Sequence, residues 1–407
     1  MSKVIIIGGG HAGANVAFNL RKDGFEGEID IFSNEDFLPY HRPPLSKEFL
    51  KKNIEIEKLF FKPDGFYQEQ NITFHSNASV VSIDTAVKEI NTHSSKYAFD
   101  YLVFATGGSP RLLPMTNADA KNLFYLRKIT DVLEIHSQLD LVKDIVLIGG
   151  GYIGLEVASA MIELGANVTI LEAEERILKR VTSPELSAFY QSIHEAKGVK
   201  VICNARVSGL LAENQTINCV ELESGEKIPT DAVLAGIGAI PNTQLAEDAG
   251  LDCNNGIATD QYCRTANPHI LAAGDCANSF NTLLNQKIRL ESVPNALSQA
   301  KVVASSIVGN ELYNKELPWF WSDQYDLKLQ MAGLSAGYDE SIILGDIEAA
   351  EFIVCYGKAG YLAAVDSVNQ SKQFMLFKRA LSNGFKLEMN LIKNKDFQPE
   401  SIFSGSI

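Results

Sequence analysis

The 407-residue sequence lacks any run of the roughly 18 or more apolar residues that a membrane-spanning helix needs. Basic residues are also short: 36 Lys and Arg stand against 50 Asp and Glu, for a net charge of −14. That balance argues against nucleic acid or an anionic membrane as the main partner. Cysteine is sparse, with Cys203, Cys219, Cys253, Cys263, Cys276 and Cys355 forming no C-x-x-C pair and none lying before residue 203. The seven histidines show no H-E-x-x-H or other ligand spacing. No metal site is expected, and the cysteines read as free thiols in a reducing compartment. Ser2 and Lys3 run straight into a short apolar strand with no cleavable signal pattern, so a cytoplasmic location is expected. What is present, 46% apolar and 21% charged residues, describes a globular protein long enough for two or three domains.

The strongest local signal occurs twice. In "IVLIGGGYIGLEVA", the apolar run Ile145 to Ile148 breaks into Gly149, Gly151 and Gly154, followed by a helical face ending at Gly165. In such a turn the first glycine permits the bend, the second lets backbone approach a pyrophosphate, and the third allows close helix–strand packing. The next strand, Val168 to Leu171, delivers Glu172 about 20 residues after the first glycine, where a carboxylate accepts hydrogen bonds from a ribose and repels a 2′-phosphate. NADH is thereby favoured over NADPH, although the basic Arg176 and Arg180 lie nearby. "KVIIIGGGHAGANVA" has the same grammar, with Gly8, Gly10 and Gly13 after Val4 to Ile7.

The repeat extends beyond the glycines. "DYLVFATGGSP", from Asp100, and "DAVLAGIGAIP", from Asp231, place an apolar strand, a glycine and a proline at matching offsets. Two homologous nucleotide-binding halves follow. The simplest pair of ligands is FAD and a nicotinamide dinucleotide meeting ring to ring.

At "ILAAGDCA", residues 270 to 277, the chain resembles the FAD-dependent pyridine nucleotide-disulfide oxidoreductase superfamily. "PYHRPPLSK" (39 to 47), "ESVPNALSQA" (291 to 300) and "PWFWSDQYDLKLQMAGL" (318 to 334) narrow this to one branch. They resemble the NADH-dependent ferredoxin reductases of the putidaredoxin reductase type, from residue 3 to about 380. That branch has no redox disulfide. In the thiol-using branches a cysteine follows the first domain's second strand, but here that region reads "FSNEDFLPYHRPPLSKEFL". Electrons must leave the flavin by another route, which favours single-electron delivery to an external 2Fe–2S ferredoxin that feeds an oxygenase.

The resemblance implies an α/β fold with two Rossmann-like dinucleotide-binding domains, glutathione reductase-like, and a C-terminal α+β cap domain. The FAD-binding domain is expected at 1–110 and 240–315, the NAD-binding domain at 111–239 and the cap at 316–407. Lys47 is expected to start a helix beside the flavin near N5, and Glu156 to reach the nicotinamide carboxamide and pair with Lys47. Around FAD the resemblance further implies Arg42, Val80, Thr106, Gly107, Arg111, Arg127, Asp275, Val293 and Trp321, with Asn34 or Glu35 on the ribose. Asp275 would meet the ribityl chain, and a helix from Val293 to about Val308 would aim its first N–H groups at the flavin N1–O2 edge. Ile153, Arg180 and Gly236 join the NAD set, while Arg289 and Lys301 are candidates for docking an acidic ferredoxin. Trp319, Phe320 and Trp321 read equally as core aromatics or, at Trp321, as a group between flavin and partner. Alternatives left open are an NADH oxidase, a quinone or rubredoxin reductase, and a redox-sensing interaction protein like apoptosis-inducing factor.

Overall fold

The computed structural model describes residues 2–403. The chain forms two compact units, one of Met1–His41, Glu57–Ser109 and Ile240–Phe320, the other of Arg42–Ile56, Pro110–Ala239 and Trp321–Ile407.

The first unit is built on a five-stranded parallel sheet. Across it the order is Ile270–Ala272, Tyr101–Phe104, Lys3–Ile7, Glu28–Phe32 and Ile72–His75. Val4, Ile5 and Ile6 are fully buried because both faces of this central strand are covered, as an all-parallel sheet requires. On one face the helices His11–Lys22 and Val293–Val308 pack in a core with Val4, Ile6, Val16, Leu20 and Val303. The second helix begins at Ser292, whose Oγ accepts from the Asn295 N–H, and stops at Gly309 in the left-handed region with φ 86°. An antiparallel sheet, Val80–Asp84, Glu89–Thr92 and Lys96–Ala98, follows the strand Ile72–His75 in the chain.

The second unit contains the same sheet again: Leu123–Phe124, Ala232–Ala235, Asp144–Ile148, Asn167–Leu171 and Lys200–Ile202, all parallel. Its antiparallel insertion, Val207–Glu213, Thr216–Leu222 and Lys227–Pro229, occupies the equivalent place in chain order. Only the fifth strand has a different origin. In the first unit it comes from late in the chain, at Ile270–Ala272, and in the second from before the glycine turn, at Leu123–Phe124.

The same unit also holds a five-stranded C-terminal sheet, ordered Trp319–Gln324, Leu327–Gly333, Tyr361–Val368, Glu351–Lys358 and Glu340–Asp346, with the helix Ser371–Ser382 packed by Phe374 and Phe377. Asp366, 3% exposed, lies inside it. Its Oδ2 accepts from the Tyr356 hydroxyl at 2.5 Å, and that hydroxyl accepts from the Ser183 N–H at 3.0 Å. Burial pushes the Asp366 carboxyl up to about 7, against the opposing pull of the Tyr356 hydrogen bond. An unfolded Asp titrates near ~3.9, so between those values the folded chain holds the extra proton and stability falls as pH rises. Asp366→Asn keeps an acceptor for Tyr356 and removes the titration. In urea melts the variant should gain a few kcal/mol on the wild type between about pH 4 and pH 8. A difference that does not change with pH would overturn this account.

Candidate functional site

Both glycine turns are shaped by the same steric exclusions. Gly8 and Gly149 sit at φ 118° and 112°, a region that other residues rarely enter. A Cβ on Gly8 would strike the carbonyl of Ala105, and one on Gly149 that of Gly236. At the third glycine the clash falls on the first: a Cβ on Gly13 would meet the Gly8 carbonyl, and one on Gly154 the Gly149 carbonyl. Each helix therefore starts in close contact with its strand's exit. Gly10 and Gly151 are the N-caps, extended and without a capping side chain. The first helical N–H groups thus remain available to an anion. Where a Cβ on Gly151 would stand there is open space, which suits a pyrophosphate.

In the first unit three of the long motifs converge. Gly274, at φ 82°, brings its α-carbon against Ala12 and Ala296, and its N–H donates to Gln299 Oε1 at 2.8 Å. "GDCA" and "ESVPNALSQA" are thereby braced on each other, with Asp275 half-buried at the turn. In the helix after Ser292, Pro294 has no N–H and Asn295 donates to Ser292 Oγ, while Ala296 donates to the Ser292 carbonyl. The Val293 N–H is the donor left over for a ligand. Thr106 is tied to Asn242 by its Oγ1 at 2.7 Å and by its carbonyl at 2.8 Å, and Gly107 is left-handed at φ 66°. Glu35 is half-buried and accepts from Tyr40 Oη at 2.5 Å, whereas Asn34 is exposed. Val80 is buried in its strand. Arg289 donates to Glu291, Asn255 and the Asp275 carbonyl, so its charge is already engaged, while Lys301 is exposed on its helix.

In the second unit Glu172 anchors the turn. Its Oε2 accepts from the Gly150 N–H at 2.8 Å and its Oε1 from the Glu174 N–H at 2.9 Å. Arg176 is spent on the carbonyls of Lys179, Thr182 and Ser183, and Arg180 is exposed. Ile153 is 47% exposed in the first turn of the helix, and Gly236 donates to the Ile148 carbonyl.

Glu156 is the charged centre of this unit. It is 5% exposed, and its Oε2 meets Lys47 Nζ at 2.6 Å and Ser46 Oγ at 2.5 Å. Its Oε1 accepts from Ser322 Oγ at 2.7 Å. The expected helix start at Lys47 is not what forms. Residues Pro43–Ser46 make a short 3-10 turn that ends at Lys47, because the prolines fix φ at the head of the turn rather than before it. Arg42 reaches across to the Arg127 carbonyl at 2.6 Å, and Asp131 holds the Arg127 and Lys128 N–H groups. Trp321 is half-buried in the strand Trp319–Gln324. Sequence reasoning missed Ser46 and Ser322, although both lie in the long motifs; a hydroxyl beside a charged pair carries no periodic signal.

Among the described residues no helix is long and apolar enough to cross a membrane, and no cluster of metal-binding side chains forms. All six cysteines are free. The pyridine nucleotide-disulphide oxidoreductase family matches residues 2–300, and a reductase C-terminal domain matches residues 319–401. The chain belongs to that oxidoreductase family. Family membership implies FAD and NAD(H) as cofactors, and the two bare glycine turns fit two dinucleotides. The chain is 39% identical to putidaredoxin reductase CamA of Pseudomonas putida, covering 99% of this chain and 97% of that one. It is 38% identical to a rubredoxin-NAD(+) reductase of Ectopseudomonas oleovorans, covering 94% and 99%. A crystal structure of a covalent putidaredoxin reductase–putidaredoxin complex superposes with a TM-score of 0.95 at 38% identity, covering 99% and 98%.

Breaking the buried ion pair from one side leaves a charge without its partner. Lys47→Met should destabilise the protein by about 3 kcal/mol, and adding Glu156→Gln should restore part of that loss. Urea midpoints of the two single variants and the double variant test this; additive losses would show that the pair does not couple.

Proposed function

We propose that this chain is an NADH-dependent ferredoxin reductase that passes electrons one at a time to a 2Fe–2S ferredoxin serving an oxygenase. The supporting observation is the duplicated glycine turn in a chain with no cysteine in the segment after strand Glu28–Phe32. Bound FAD supplies the change of electron count, accepting a hydride and giving up single electrons. The protein's part is positioning and electrostatics.

In this reading residues 1–110 and 240–315 hold FAD. Gly8, Gly10 and Gly13 take its pyrophosphate, and Glu35, oriented by Tyr40, takes the ribose in preference to the exposed Asn34. Asp275 and Thr106 orient the ribityl chain and ring, and the Val293 N–H favours negative charge at the ring's far edge. Val80, Gly107, Arg42, Arg127 and Trp321 complete the cradle. Residues 111–239 hold NADH on Gly149, Gly151 and Gly154. Ile153 and Gly236 flank the turn, Glu172 selects the 2′-hydroxyl, and Arg180 remains at the mouth. Glu156 holds the nicotinamide carboxamide, and Lys47 neutralises it while standing near the flavin N5. Residues 316–407 form the cap. With Arg289 bound to Glu291, Lys301 is the basic group left to meet an acidic carrier. A cytoplasmic location fits this use of NADH. Rubredoxin as the carrier is the second reading, supported by the similarity to rubredoxin-NAD(+) reductase.

The deciding measurement is anaerobic NADH-driven reduction of cytochrome c, with and without added 2Fe–2S ferredoxin or rubredoxin, repeated with NADPH. A rate that rises at least about tenfold with ferredoxin and NADH supports the proposal. Rapid flavin bleaching independent of either carrier would replace it with an oxidase or quinone reductase. The two glycine turns should also separate by substitution. Gly13→Ala should lower bound flavin per chain, while Gly154→Ala should keep flavin and weaken NAD+ binding by about tenfold or more. Equal loss of flavin in both variants would contradict the assignment of one dinucleotide to each turn.

A further inference from the structure

Ser322, which holds Glu156, is itself held by a chain of buried side chains that the proposed reaction does not use. Gln324, 1% exposed, donates from Nε2 to Ser322 Oγ at 3.2 Å. Its Oε1 lies 2.9 Å from Nε2 of His194, a residue with no exposed surface. Tyr325 Oη stands 3.0 Å from His194 Nδ1, and the Tyr325 N–H is anchored on Ser159 Oγ at 2.8 Å.

With the Gln324 amide oxygen toward His194 and its nitrogen toward Ser322, the bonds of this chain take one direction. An amide oxygen only accepts, so His194 Nε2 carries the proton. Burial lowers the His194 pKa, leaving the ring neutral, so Nδ1 is an acceptor and Tyr325 donates to it. With its oxygen taken by His194, Gln324 presents its NH₂ to Ser322. One serine lone pair then accepts from the amide, and the single hydroxyl proton is donated to Glu156 Oε1. A flipped amide would draw that proton away. Four hydrogen bonds thus run one way, from Tyr325 through His194, Gln324 and Ser322 to Glu156.

A carboxylate offers about four acceptor sites. Lys47 and Ser46 use Oε2 and Ser322 uses one side of Oε1, and among the described residues no second donor meets Oε1.

We infer that Ser322, Gln324 and His194 are positioning residues that fix the Glu156 carboxylate so that one Oε1 lone pair is presented to the nicotinamide carboxamide. The inference rests on the proposed placement of Glu156 at that group. It makes the C-terminal strand Trp319–Gln324 and the helix Pro184–Ala196 contributors to nucleotide binding.

The test is calorimetric titration of flavin-loaded protein with NAD+, alongside kcat and the KM for ferredoxin. Ser322→Ala should weaken NAD+ binding by about fivefold or more, and Gln324→Met should shift it in the same direction, with the KM for ferredoxin unchanged. Ser322→Thr, which keeps the hydroxyl in a larger side chain, should bind NAD+ within about twofold of wild type. A role in packing alone would make the threonine variant worse than the alanine one. In a Glu156→Gln background, Ser322→Ala should add nothing. Normal NAD+ binding by Ser322→Ala and Gln324→Met, with weak binding by Glu156→Gln, would overturn the positioning chain and leave the function intact. Normal binding by Glu156→Gln would instead remove Glu156 from the nicotinamide, and the inference with it. Gln324→Met leaves Ser322 in place and decides between the same two outcomes should Ser322→Ala fail to fold.

Discussion

The contact between the third glycine of each turn and the carbonyl of the first is the constraint from which both nucleotide-binding halves follow. At Gly13 and Gly154 there is no space for even a methyl group, because the helix must start against the strand's exit. That proximity points the helix N–H groups at one spot above the sheet and leaves Gly10 and Gly151 without capping side chains. A serine or aspartate cap would stabilise each helix by about 1 kcal/mol. Its absence leaves that stabilisation to be supplied by a phosphate.

The second requirement is a full set of partners for a buried acidic side chain. Glu156 is 5% exposed and is met by one cation and two hydroxyls. These donors come from sequence positions 46, 47 and 322, far from the helix that carries the acid. The arrangement links a proline-rich turn, a glycine-turn helix and the C-terminal sheet through one side chain. Ser322 accepts from the Gln324 amide and has one proton to give, which it gives to Glu156.

Much of this was legible in the sequence. The strands Lys3–Ile7 and Asp144–Ile148, their glycine turns and the matching later strands stand out because parallel strands are uniformly apolar and their turns need glycine. The helix Val293–Val308 could be bounded from Pro294 and Gly309. The pairing of Lys47 with Glu156 came from the family resemblance, not from spacing. The helix expected at Lys47 did not form, since two prolines move the turn's start ahead of the lysine. Gln324 and His194 left no trace, because each has polar neighbours, in "SDQYD" and "QSIHEAK", among which a buried polar side chain looks like an exposed one. The engagement of Arg289 by Glu291 was also hidden, although they are close neighbours in sequence, because it depends on side-chain direction.

The two copies of the turn are flanked by different segments of the chain. In the first unit the glycine-turn helix is covered by the helix Val293–Val308, and the loop at Gly274 is locked to both through Ala12, Ala296 and Gln299. The fifth strand that leads into this loop comes from late in the chain, at Ile270–Ala272. In the second unit the fifth strand is two residues long and precedes the turn. The acidic group of that copy is held by backbone N–H groups of its own turn, at Gly150 and Glu174, so it is oriented before any ligand arrives. Preorganisation of this kind lowers the cost of each binding event without enclosing the ligand. In the proposed function the second copy takes the nucleotide that departs after every hydride transfer, and a carboxylate oriented in advance suits that repeated exchange.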